Sequence, residues 1–170
     1  RTEKLMIVSR HFKNARLLLF TFSIAAAPLA WAESLYSKPH ANEARVHYML
    51  YCQGCHLSDG AGSLKAEVPK MKDYVGNFLK IPEGREYLVR VPGSANAPIG
   101  DEKLANLLNW ILLTMAGEST PKGFTPYTGK EVGVLRAKSL TNVVTLRSNL
   151  IEKINKTSTD FDTQAIRKSK

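Results

Sequence analysis

The residues in this chain whose types and spacing can do chemistry are Cys52-Gln53-Gly54-Cys55-His56. Two thiols separated by two residues and followed at once by a histidine form the spacing of a covalent c-type haem attachment site. Each thiol adds to a haem vinyl group to give a thioether, and the imidazole directly behind the second cysteine is held under the iron as its proximal ligand. Other uses of the same residues fit less well. A zinc site needs about four ligands, whereas the chain has two cysteines and four histidines, and His11 falls in an expected leader. A thioredoxin-like dithiol would sit near a βαβ pattern rich in Val and Ile, and none is present. A disulfide between Cys52 and Cys55 would leave His56 without a role.

The elements that must position these residues read as helices. Asn42 is placed to cap a helix running into Cys52, and Ala44, Tyr48 and Cys52 fall four apart, on one face. The stretch 57–63 is a loop by its glycines and small polar residues, and Val68-Pro69-Lys70-Met71 follows it. A short helix is expected over 82–91, with Pro82 at its start and Pro92-Gly93 beyond its end. A longer one follows, opened by Asp101 and Glu102, which suit the positive end of a helix. Leu104, Leu107, Leu108, Trp110, Ile111 and Leu112 form its apolar stripe before Gly117. Beyond it, 117–127 reads as a linker or strap. Thr128-Gly129-Lys130-Glu131 is a capping box opening a further helix. Thr141 is placed to cap another, whose Val143, Leu146, Leu150 and Ile154 recur at +3, +4 and +4. This hairpin is expected to pack on its own domain. Residues 156–170 are dominated by Lys, Ser, Thr and Asp and are expected to be mobile.

Composition narrows the class without naming it. The formal charge is +9, and a leader at 1–32 supplies part of it: outside that stretch 19 basic residues stand against 14 acidic, a balance of +5. No Lys/Arg run interrupts the rest, so nucleic acid is not an expected partner. Arg10, Lys13 and Arg16 precede an apolar run of 14 residues, from Leu17 to Ala30. That is shorter than the roughly 20 residues a transmembrane helix needs. Ala30-Trp31-Ala32 then supplies the small-x-small pattern of a secretory cleavage site. The organisation expected is a signal peptide over 1–32, a haem-binding domain over 33–116, a helical extension over 117–155 and the tail. The cleaved protein would carry no stable membrane span.

The small and aromatic residues ahead of Cys52, the Cys-x-x-Cys-His run and the Pro69-x-Met71 segment together resemble the class I c-type cytochromes. The resemblance covers 33–116 and implies an all-α domain wrapped around one covalent haem c. It implies that Cys52 and Cys55 anchor the haem, that His56 is the proximal iron ligand, that the Pro69 carbonyl orients it and that Met71 packs on the haem. It also implies that the last helix of the domain crosses the first, with Ala44, Tyr48, Leu107 and Trp110 at the crossing. The family places a Met-Pro before the last helix as the sixth iron ligand. Here Ala97-Pro98 stands in that place and no methionine occurs from 72 to 114. Met115 is the thioether candidate by elimination, with an apolar plug at the helix end as its competing reading. Asn96, His40 and His47 are further candidates, and a five-coordinate iron is the remaining one.

The function implied is that of a periplasmic one-electron carrier rather than an enzyme, working between partners such as a dehydrogenase and an oxidase. The alternatives are a five-coordinate haem protein that binds NO, CO or peroxide as a sensor or peroxide-reactive enzyme, and a subunit held to a partner by the 128–155 hairpin.

Overall fold

The structure is a computed structural model that describes residues 38–168; the expected leader lies outside them. Among the described residues the architecture is all-α. The helices are α1 (Lys38–Tyr51), α2 (Gln53–His56), α3 (Pro82–Arg90), α4 (Pro92–Ala95), α5 (Asp101–Thr114), α6 (Gly129–Arg136) and α7 (Val143–Lys168), with 3₁₀ turns at Val75–Lys80 and Gly117–Ser119. An isolated antiparallel bridge joins Ser63 to Val68.

Helix α1 begins four residues ahead of the expected Asn42 cap. Pro39 is tolerated because it falls in the first turn, where a backbone N–H has no helical acceptor. The helix packs against α5, burying Ala44 and Tyr48, each 1% exposed, on the face the sequence predicts. The Tyr48 and Trp110 rings meet with centroids 5.5 Å apart. Leu107 is buried and Trp110 half-buried, so the crossing forms with Tyr48, not Trp110, as its buried ring.

Helix α3 starts at Pro82, as expected, and buries Tyr87, Leu88 and Val89. Tyr87 stacks on Phe78 of the preceding 3₁₀ turn at 5.1 Å. Helix α5 buries Leu104, Ala105, Leu107, Leu108, Ile111 and Leu112.

The C-terminal extension packs on the same core. Helix α6 lies against α5 and α3, and α7 against the Val75–Lys80 turn. Thr128 caps α6 by accepting from the Glu131 N–H, the first half of the expected box. In α7, Leu150 and Ile154 are buried, with Val143 and Leu146 packed beside them, so the +3, +4, +4 stripe is the face it buries. Arg147, on the same helix, lies 5.9 Å from the ring centroids of both Tyr74 and Phe78. Helix α7 runs to Lys168, through the stretch from 156 that the sequence reads as a tail. Once nucleated, a helix extends at little cost per residue, and i,i+4 contacts such as Lys156 with Glu152 help it to do so.

Candidate haem site

The turn from α1 into α2 presents the two thiols and the imidazole together. The Cys52 N–H bonds to the Tyr48 carbonyl at 2.9 Å and the His56 N–H to the Cys52 carbonyl at 2.9 Å. The helical path therefore continues through the motif. It ends at Leu57, whose φ of +65° turns the chain back. The Tyr48 hydroxyl donates to the Leu57 carbonyl at 2.6 Å and holds that reversal in place.

The following loop delivers Pro69 to His56. Ser63 and Val68 exchange backbone hydrogen bonds, and the Gly62 N–H donates to the His56 carbonyl at 3.1 Å. Gly62 has φ +70°, and a Cβ there would stand 2.5 Å from the Val68 carbonyl oxygen. Only glycine permits this close return. At its end, His56 Nδ1 lies 3.0 Å from the Pro69 carbonyl oxygen. A carbonyl can only accept, so Nδ1 carries the proton and Nε2 keeps its lone pair for a metal. Burial lowers the His56 pKa, and the hydrogen bond to Pro69 opposes that shift. Both favour an imidazole fit to coordinate, since burial keeps it neutral and the bond fixes its tautomer.

Cys52, Cys55, His56 and Met71 line a cavity of about 270 Å³. That is many times the space one water needs, so it is a ligand-sized space and not a packing defect. The rest of its wall is Tyr51 and Val75, then Tyr87, Leu88 and Val91 around α3, then Gly93 and Ser94 in α4, then Leu108, Ile111 and Leu112 on α5. Among the described residues no Asp, Glu, Lys or Arg lines it. Burial, reinforced by Cys55, pushes the Cys52 thiol up to about 11. Among the described residues no group of three or more His, Cys, Asp or Glu is placed to hold a metal ion. An apolar cleft edged by two thiols and one oriented imidazole fits a haem.

The structure does not bring Met115 to this cavity. Its Sδ lies 3.3 Å from where a Cβ on Gly60 would stand, and its carbonyl accepts from the Asp73 N–H. At the end of α5 its side chain meets the Gly60 loop. Asn96, His40 and His47 do not line the cavity either; His47 stacks on Tyr51, which does. The sequence does not single out the α3, α4 and α5 walls as site residues. Leu108, Ile111 and Leu112 are visible there only as part of an apolar stripe, and Ser94 only as a loop residue.

Over 108 aligned residues the chain is 34% identical to cytochrome c-552 of Thermus thermophilus, covering 53% of this chain and 82% of the relative. It is equally similar to a second cytochrome c-552, from a named strain of the same species, covering 72% of that protein. The chain belongs to the c-type cytochromes. No protein-family model and no solved structure matches this cytochrome. Membership makes haem its cofactor. No helix among its described residues is long and apolar enough to cross a membrane.

Proposed function

We propose that this cytochrome binds a single haem covalently through Cys52 and Cys55, with His56 as proximal ligand, and passes one electron at a time between partner proteins. The observation that carries this is the contact of His56 Nδ1 with the Pro69 carbonyl at the edge of an apolar cavity flanked by both thiols. When bound, the haem supplies an iron that cycles between two oxidation states at a potential set by its ligands, hydrogen bonds and burial. The chain's residues do the rest. Pro69 fixes the imidazole, the thiols fix the macrocycle's edge, and Leu88, Leu108, Ile111 and Leu112 keep water away. Met71 packs against the bound group.

The leader pattern ending in Ala30-Trp31-Ala32 supports a periplasmic site of action, with a periplasmic dehydrogenase or oxidase as the class of partner. Mass spectrometry of exported protein should show a chain beginning at Glu33 that keeps the mass of one haem through denaturation. Extraction of the haem into acidified acetone, or loss of neither thiol in the loaded protein, would refute covalent attachment.

A further inference from the structure

The wall of the cavity at α4 is built from small residues. From 92 to 99 the chain reads Pro-Gly-Ser-Ala-Asn-Ala-Pro-Ile. Ala95 and Ala97 are buried, but a methyl group offers little packing to hold a segment down. Gly93 and Ser94 face the cavity, so whatever fixes this segment fixes that wall.

The fixing group comes from α6, about 40 residues further along. Arg136 donates from Nε to the Ala95 carbonyl at 3.0 Å, from Nη2 to Ala97 at 2.6 Å and from Nη1 to Ile99 at 2.7 Å. Nη1 also reaches Asp101 Oδ1 at 3.2 Å, at the first turn of α5. Its side chain is 15% exposed. One guanidinium thus gathers three carbonyls at alternate positions and ties them to the helix that forms the opposite end of the wall. A planar fork suits this geometry, and the compact ammonium of lysine cannot span it.

We propose that Arg136 is a positioning residue for the haem cavity: it holds the 93–99 segment closed and so sets how readily a small molecule reaches the iron. Its influence on access to the iron rests on the function proposed above; its hold on the segment does not.

The test uses the haem-loaded chain and its Arg136→Gln, Arg136→Lys and Arg85→Gln variants. Arg85 is the control. It anchors the same extension through Thr125, Pro126 and Glu131 and makes no hydrogen bond to 93–99. Losing the net worth of even one charged hydrogen bond is a factor of about ten in an opening equilibrium. Arg136→Gln should therefore speed hydrogen exchange at the Ala95, Asn96 and Ala97 amides about tenfold, and CO entry to the reduced protein by a similar factor. Arg136→Lys should fall between it and the parent, and carries the test if the glutamine variant does not accumulate. Arg85→Gln should lower the melting temperature while leaving both readouts within about twofold. The proposal is overturned if Arg136→Gln leaves either readout within twofold of the parent, if Arg85→Gln moves them as far, or if lysine restores them fully. A parent chain without covalent haem would refute the function proposed above, and the exchange measurement would still decide what Arg136 does to the segment.

Discussion

At the scale of single residues, Tyr48 does two things. Its ring fills the gap between α1 and α5, and its hydroxyl satisfies the Leu57 carbonyl where the chain reverses behind His56. Tyr48→Phe keeps the first and loses the second, so it should cost about 1–2 kcal/mol in urea unfolding at neutral pH. Burial pushes the Tyr48 phenol up to about 12, against an ordinary value near 10. Burial shifts Tyr87 and Tyr127 in the same direction. A raised folded-state value means that the fold favours the neutral phenol. The stabilisation is therefore complete below pH 10 and is lost as pH rises from there towards 12. Urea titrations across this range should show stability falling, with a shallower fall in Tyr48→Phe.

At the scale of elements, two contacts decide how the helices are held. At the α1–α5 crossing, Tyr48→Ala should cost about 3–5 kcal/mol, the range for removing a fully buried aromatic. Trp110→Ala should cost clearly less, because its ring is only half-buried; denaturant midpoints of the two variants make the comparison. The other contact ties the extension to α5. The buried amide of Asn109 donates to the Tyr127 carbonyl at 3.0 Å and accepts from the Tyr127 N–H at 2.8 Å. Tyr127 in turn donates its hydroxyl to the Arg85 carbonyl and lies under the Arg85 guanidinium. Asn109→Ala leaves both backbone groups of Tyr127 unpaired, and should cost about 2–4 kcal/mol in the same assay. A loss no greater than that of the exposed cap variant Thr128→Ala, about 1 kcal/mol, would show that the pair is not a structural tie.

At the scale of the whole molecule, the extension is part of the fold. Tyr127, Val132, Leu150 and Ile154 belong to the same buried cluster as Tyr48, Phe78 and Leu107. A shared core predicts one cooperative transition. Calorimetry of the loaded protein should show a single peak, and a separate transition for the extension would contradict the shared core. Truncation before Val143 should cost about 3–6 kcal/mol, from loss of Leu150 and Ile154 burial alone. The +3, +4, +4 stripe of α7 is thus spent within the chain, covering the turn that leads to α3, and is not left as a surface for a partner.

Local chemistry is legible in the sequence wherever it constrains near neighbours. The spacing of two thiols and an imidazole within five residues marks a c-type haem motif, and the family resemblance of Pro69-x-Met71 implies the return of Pro69 to His56 that the structure shows. Periodicity likewise predicts the buried faces of α1, α5 and α7, because a helix repeats its environment every three to four residues. What depends on direction across the fold is not legible. Elimination among residue types points to Met115, but type says nothing of where a side chain is aimed, and the end of α5 aims it at Gly60. The family resemblance implies the aromatic pair at the crossing, yet which ring is buried depends on how two helices meet. Arg136 and Arg85 carry no spacing signature at all. Most of their acceptors are backbone carbonyls some 40 residues away, every residue offers a carbonyl, and only the packing of α6 against α3 and α5 selects which ones these arginines find.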